Sequence, residues 1–185
     1  MNFIKAIFIT TGIVTLLSSC SLSQKSEREI MSEIYSDSMA YEFSLGSRGN
    51  IDYCRDGDLT ISSLTDNYPF DEEDWQWVSK NLPQLDKETW KDFVRVNSWQ
   101  VPFPNNLDLG CKYTLLDVEK NPPEWALNNC VGVYSFSQIG FNSNMSQALV
   151  YHVWSCGDFA YGNLYYAEIV DNLWKVTNMV EVVIT

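Results

Sequence analysis

The amino half of the chain carries apolar side chains at helical spacing. Between residues 30 and 39 they recur four positions apart, which predicts a first helix. Asp71 and Asp74 have nearly the spacing and chemistry of a capping box and predict the start of a second helix. Asp86 is the predicted cap of a third helix, whose apolar stripe consists of Trp90, Phe93 and Val94.

The carboxyl half changes to the period of β-strands. Residues 111–116 alternate as a strand does, and an earlier strand is expected around Ile61. Four further segments are rich in Val, Ile, Tyr and Trp, namely residues 131–141, 147–155, 163–170 and 173–184. Because short turns such as Asp171-Asn172 join them, they are expected to pair as antiparallel neighbours. The sequence therefore predicts an α+β fold, with N-terminal helices packed on a C-terminal four-stranded antiparallel β-meander.

Residues 6–17 form an apolar run that follows Lys5. The run is too short to span a bilayer, since a spanning helix takes about 20 apolar residues. A positive charge, an apolar stretch and then small residues are the parts of an export signal, and here the small residues are Ser18 and Ser19. On these parts alone, an ordinary secretory signal, a lipoprotein signal and a buried helix all remain open.

The order Leu17-Ser18-Ser19-Cys20 resembles the lipobox at which bacterial lipoproteins are cleaved. The resemblance implies that residues 1–19 are removed and that Cys20 becomes the first residue, with a diacylglycerol on its thiol and an acyl chain on its amine. Two or more chains anchor a protein stably, whereas one holds it marginally. Ser21 follows in place of Asp, which implies the outer membrane of the cell envelope, on the side that faces the periplasm. Residues 20–28 are then a tether, and residues 29–185 form one globular domain.

A second resemblance covers residues 82–185, with a gap in the middle. Its residues are Leu85-Asp86-Lys87-Glu88-Thr89-Trp90-Lys91-Asp92-Phe93, Asn97, Gly140-Phe141-Asn142, Gln147-Ala148-Leu149-Val150-Tyr151, Cys156-Gly157, Gly162 and Leu173-Trp174-Lys175-Val176. They are similar to the ending of a set of uncharacterised bacterial proteins, many of them short lipoproteins. The shared positions are hairpin glycines and core aromatic residues, so the resemblance implies no catalytic residues.

The chain is strongly acidic, with 24 acidic and 12 basic residues and a formal net charge of −12. Lys5 is the one charged residue among residues 1–19, so their removal leaves 24 acids against 11 bases and a net charge of −13. Such a surface repels phosphate backbones, which argues against a nucleic-acid partner. If the domain has a charged partner, we expect a protein with a basic surface. An acidic surface that serves solubility alone is the alternative.

Besides Cys20, the chain has four cysteines, Cys54, Cys111, Cys130 and Cys156. An even number in an exported chain predicts two disulfides. Of the three possible connectivities we favour Cys54 with Cys111 and Cys130 with Cys156. No two cysteines have the CxxC spacing and there is one histidine, so a zinc site is disfavoured and no metal is expected.

Sequence motifs for catalysis are absent: there is no GxSxG elbow, P-loop, GxGxxG or HExxH. His152 lies in an alternating segment, where it is expected to be a core residue bonded to a neighbour or a surface residue on an open face. The acidic residues 71–74 stand where a helix begins and are expected to cap it rather than to bind calcium. Asp56-Gly57-Asp58 also lacks the ligands of a calcium loop. We therefore predict no catalytic residue and no cofactor.

Three functions remain open on the sequence. The first, which we favour, is a membrane-anchored envelope lipoprotein whose non-catalytic domain binds a protein or a wall component or has a structural role. The second is a periplasmic immunity or inhibitor lipoprotein that neutralises a toxin or lytic enzyme, with its acidic surface against a basic partner. The third is a hydrolase whose site is assembled from scattered residues.

Overall fold

The computed structural model describes residues 25–44, 59–65, 70–110, 112–117, 132–156 and 159–182. Within them the helices are α1 (Glu27–Ser44), α2 (Trp75–Asn81) and α3 (Lys87–Val96), and a 3₁₀ turn (Glu72–Asp74) leads into α2. The strands are β1 (Leu59–Ser62), β2 (Tyr113–Leu116), β3 (Val133–Phe136), β4 (Gly140–Phe141), β5 (Gln147–Cys156), β6 (Phe159–Val170) and β7 (Leu173–Val182). No helix in these ranges is long and apolar enough to span a membrane.

The strands form one mixed sheet in the order β2-β1-β3-β5-β6-β7, with β4 also paired to β5. β1 is parallel to β2 and β3, whereas the pairs of β3, β4 and β6 with β5, and of β6 with β7, are antiparallel. The α+β class is confirmed. The prediction of a four-stranded antiparallel meander is wrong, because β1 and β2 join the same sheet through long connections, which permit parallel pairing.

The segment predicted as one strand over residues 131–141 is two strands, β3 and β4, along the same edge of β5. Ser137 lies between them. Its N–H donates to the Tyr151 carbonyl oxygen (2.8 Å), and its Oγ accepts a bond from the Tyr151 N–H (2.9 Å). A side-chain oxygen thus takes the place of a backbone acceptor, and the regular ladder is interrupted there.

Both faces of the sheet are covered by helices. Along β5, Ala148 and Val150 belong to the core that includes Tyr35 of α1, while Leu149 and Tyr151 belong to the core that includes Trp90 of α3. Strands covered on both faces have nearly continuous buried residues, and β5 follows this rule. The helices therefore lie in two layers, α1 on one side and α2 with α3 on the other.

A capping box that the sequence analysis missed starts α1 within the segment predicted as a tether. The Ser26 N–H donates to Glu29 Oε2 (2.7 Å), and the Glu29 N–H donates to Ser26 Oγ (3.3 Å). These bonds satisfy two N–H groups that have no partner within the helix. The helix therefore begins at Glu27, close to the predicted anchor.

The other predicted caps have different outcomes. Asp71 forms a capping box with Asp74, as the acidic residues 71–74 predicted, although the capped element is the 3₁₀ turn before α2. Asp86 precedes α3, but its side chain makes no capping bond there. The Asp86 N–H instead donates to Gln147 Oε1 (2.9 Å). A side chain from the start of β5 thus ties the start of α3 to the sheet.

Residues of the second resemblance meet where α3 packs on the β4–β5 hairpin. Asn97 Oδ1 accepts a bond from the Gln138 N–H (2.7 Å), and Asn142 Oδ1 accepts one from the Gln147 N–H (3.0 Å). Gly140 lies directly against the helix, since a Cβ at this position would be 2.4 Å from the Phe93 Cα. These positions therefore fix the packing of a helix on a hairpin.

The outer edge of the sheet is β7, and α1 supplies acceptors for its N–H groups. The Trp174 N–H donates to Glu33 Oε2 (3.2 Å), and the Val176 N–H donates to Asp37 Oδ2 (2.7 Å). Lys175 Nζ lies 3.1 Å from Asp37 Oδ1. Unpaired N–H groups on an edge strand can pair with another chain. The two carboxylates thus hold α1 against the sheet and occupy donors of this edge.

We predict that Gly140→Ala destabilises the protein by about 3 kcal/mol or more, because the new methyl group meets helix backbone that cannot rotate away. Gly110→Ala is the control. Gly110 has φ of 77°, and a Cβ there is 3.9 Å from Ser36 Oγ, so only backbone strain of about 1 kcal/mol is expected. Urea unfolding of the disulfide-intact chain measures both. Equal losses in the two variants would contradict the packing argument.

We also predict that Asp37→Ala and Asp37→Asn differ in stability. Alanine leaves the Val176 N–H without its acceptor, which costs about 1–3 kcal/mol. Asparagine keeps an oxygen for this N–H and loses only the half-exposed pair with Lys175, worth less than about 1 kcal/mol. The urea midpoints of the two variants measure the difference. If both fall equally, the ion pair, and not the backbone bond, holds α1 on β7.

Candidate functional site

The cysteines predicted to matter lie mostly outside the described residues. Cys156 ends β5, is buried and is disulfide-bonded. Cys20, Cys54, Cys111 and Cys130 fall outside the ranges that the structure describes. The pairing of Cys54 with Cys111 and of Cys130 with Cys156 therefore stays a prediction, as does the lipidation of Cys20.

The structure places His152 in the core, one of its two expected positions. Its Nε2 atom lies 2.9 Å from the Tyr165 hydroxyl oxygen, and its ring stands edge-on to Tyr134 and Phe136. Nearby, the Tyr35 hydroxyl donates to the Ser137 carbonyl oxygen (2.9 Å), and burial raises the pKa of Tyr35 above its ordinary value. A general base must reach the proton that it removes. His152 and Tyr35 instead each make a separate polar contact inside an aromatic core.

No group of His, Cys, Asp and Glu in the described ranges has the arrangement of a metal site. Within residues 71–74, the two aspartates act as caps: the Glu73 N–H donates to Asp71 Oδ1 (2.6 Å), and the Asp71 N–H donates to Asp74 Oδ2 (3.0 Å). Asp56 and Asp58 lie outside the described residues.

An open groove of about 520 Å³ lies between α1 and the loop before β2. We call it the α1 groove, and it is lined by Arg28, Glu29, Ser32, Glu33, Ser36, Asn106, Asp108 and Gly110. Its two walls are joined by hydrogen bonds. Arg28 Nη2 donates to the Asn106 carbonyl oxygen (2.6 Å), and the Asp108 N–H donates to Ser32 Oγ (3.1 Å). Asn106 has φ of 61°, which the chain adopts to turn back toward the helix.

The α1 groove has an acidic lining, with three carboxylates and one guanidinium. The N–H of Ser26, and then its hydroxyl, hold the pKa of the Glu29 carboxyl below its ordinary value, which keeps this group ionised. Arg28 donates to the carbonyl oxygens of Asn105 and Asn106 across the groove. The lining therefore offers negative charge and hydroxyl groups to a basic or hydrogen-bonding group of a partner. No local sequence pattern indicates this groove, because its two walls are more than 70 residues apart in the chain.

A second groove, of about 390 Å³, lies between α3 and the β4–β5 hairpin. Its charges are balanced: Glu88 and Asp92 stand beside Lys91 and Arg95. Arg95 Nη2 lies 2.5 Å from Asp92 Oδ1, and Asp92 Oδ2 accepts a bond from the Phe141 N–H (2.9 Å). Because Asp92 binds both the hairpin and Arg95, this surface is chiefly part of the helix–hairpin contact.

Some large apolar side chains are exposed, although ten aromatic residues in the described ranges are buried. Trp90 and Phe93 are buried, as predicted. The exposed ones include Trp77, Trp99 and Phe159. Three more flank the β6–β7 turn: Val170 and Leu173, which pair with each other, and Ile169, which pairs with Trp174 and faces the other side of the sheet. We call the last three the hairpin tip. Its signal was visible in the sequence, since two of these residues directly precede the predicted turn Asp171-Asn172 and one follows it.

Comparisons with protein-family models, with curated proteins and with solved structures each found no match. The resemblance of residues 82–185 to short bacterial lipoproteins therefore stays a prediction.

Proposed function

We propose that this protein is a lipid-anchored component of the bacterial cell envelope and that its domain acts by binding, without catalysis. The observation that carries the proposal is the order of Lys5, the apolar residues 6–17 and Leu17-Ser18-Ser19-Cys20. Helix α1 begins at Glu27, seven residues after Cys20. The anchor and the folded domain are thus joined by a short segment, which fits a domain held close to a membrane.

The geometry of the domain favours binding over catalysis. The one histidine is buried in an aromatic core, where a substrate would have to displace packed rings to reach it. The described grooves are open and lined by charged side chains. Ligand sites for small molecules generally enclose most of the ligand's surface. Open grooves do not, so these surfaces suit a macromolecular partner better. Ser21 after the acylated cysteine supports the outer membrane, on the periplasmic side, as the location.

We predict that Cys20→Ala either releases the protein into the soluble fraction or leaves it with its signal peptide uncleaved, because no thiol remains to take the diacylglycerol. Ser19→Ala is the matched control, since it keeps a small residue beside the cleavage site and leaves Cys20 in place. Cell fractionation measures the location of both variants, and the size of the protein on an immunoblot shows whether the signal peptide has been removed. A processed Cys20→Ala protein that stays in the membrane fraction would contradict the proposed anchor.

A second candidate function is inhibition of a basic toxin or lytic enzyme, and the acidic α1 groove is the observation that favours it. Complementary charge raises association rates and selects partners. Glu29, Glu33 and Asp108 give the groove this charge even though each also makes a bond within the protein. In this role the groove would receive Lys or Arg side chains of the partner.

Placing a cation in the α1 groove tests this role. We predict that Ser36→Lys lowers the association rate with a basic envelope partner about tenfold at low salt. Ser143→Lys adds the same charge to the groove beside α3 and serves as the control. The partner is first captured by the full chain from detergent-solubilised envelope, and rates are then measured by surface plasmon resonance. Equal rates for the two variants would overturn this second candidate.

A further inference from the structure

The sheet ends at β2 on the side opposite to β7, and one side of the β2 backbone faces away from the sheet. The Ser63 N–H donates to the Leu116 carbonyl oxygen (2.8 Å), so the backbone groups of Leu116 face β1. Along a strand these groups alternate in direction, and residues two apart bond to the same neighbour. The N–H and C=O groups of Tyr113 and Leu115 therefore point outward.

We call these outward groups the β2 edge. Among the described residues, no strand pairs with this side of β2, and no group forms a hydrogen bond with the N–H or C=O groups of Tyr113 and Leu115. Both side chains are half-buried against the core under α1, whereas Thr114 between them is exposed. The β2 edge thus offers two donors and two acceptors to a strand of about four residues, the length of β2.

The donors of the opposite edge are occupied. On β7, the N–H groups of Trp174 and Val176 donate to carboxylates of α1, and that of Met179 donates to Asn178 Oδ1 (2.8 Å). Proteins generally block or cover their edge strands, because an open edge pairs with another chain. Since this sheet blocks one edge bond by bond and leaves the other open, the open edge is where we expect another chain to bind.

We propose that the β2 edge binds an extended segment of a partner protein as an added strand, and that the segment combines apolar residues with Lys or Arg. This inference rests on the proposed binding role and gives the form of the partner. A second copy of this chain is a poor occupant, because each copy has a net charge of −12 and two copies repel each other.

The chemistry of the segment follows from its surroundings. Side chains on one face of an added strand would lie beside those of Tyr113 and Leu115, so apolar residues fit these positions. The net charge of the chain favours a basic segment. Locally, Lys112 precedes β2 and Asp117 follows it. We therefore expect the Lys or Arg residue at the end of the segment that lies near Asp117.

Selected peptides and amide exchange test the contact. Two libraries of six-residue peptides are selected on the full chain in detergent. Both alternate apolar with variable positions, which include Lys and Arg in one library and Asp and Glu in the other. We expect binders from the basic library. Measured by NMR, each binder should slow amide exchange of Tyr113 and Leu115 at least about tenfold, with little change for Leu116. Binders that leave both amides unprotected would overturn the proposal.

Leu115 and Leu116 form a matched pair, because they have the same side chain and N–H groups that point in opposite directions. An ester in place of the peptide bond before either residue removes its N–H. We expect the Leu115 ester to weaken peptide binding about fivefold and the Leu116 ester to weaken it twofold or less. The Leu116 ester should lower the urea midpoint more. Equal weakening of binding by the two esters would contradict an added strand.

The other outcomes separate this contact from the proposed binding role. Binders from the acidic library alone, or from neither library, overturn the β2 edge. If the full chain still captures an envelope partner, the binding role is retained and only the contact is lost, whereas failure of both overturns both. A dimer in sedimentation that the Leu115 ester dissociates would assign the edge to a second copy and also overturn the proposal.

Discussion

The hydrogen bonds from the N–H groups of Trp174 and Val176 to Glu33 and Asp37 are the contact on which the rest of the arrangement depends. They cross from an edge strand to a helix that precedes it by more than a hundred residues. They fix α1 along β7 and occupy edge donors that could otherwise pair with another chain. They also determine where the chain enters the domain, since Lys25, just before α1, reaches the β6–β7 turn.

From this contact follows a domain with two different ends. The start of α1 lies next to the predicted tether in the chain and close to the hairpin tip in space. The first turn of α1 also lines one end of the α1 groove. At the other end of the domain are Phe159 and the disulfide-bonded Cys156. Short tethers leave little freedom of orientation. In the proposed function, the tether leads directly into α1, so this helix constrains which surfaces of the domain face away from the membrane.

The elements could be predicted locally, whereas their assembly could not. Periodicity identified the stripe of Trp90 and Phe93, and turn chemistry identified Asp171-Asn172, because both are set by neighbours in sequence. The parallel pairing of Leu59 with Tyr113 joins segments more than fifty residues apart, and no pattern within either segment predicts the pairing. Asp86 shows the same limit, since its N–H is satisfied by Gln147 from a distant strand and not by its own side chain.

The candidate site divides in the same way. The predicted lipobox at Cys20 is a linear pattern that a sequence can show by itself. The α1 groove instead needs a loop that returns to Arg28 and Ser32 of α1, about 75 residues earlier. Cys20 is the residue on which the proposed function depends most, and intact-mass spectrometry of the protein purified from envelope membranes tests its lipidation directly. We predict a chain that starts at Cys20 and carries the mass of a diacylglycerol and an additional acyl chain. A chain that retains residues 1–19, or a Cys20 without lipid, would contradict it.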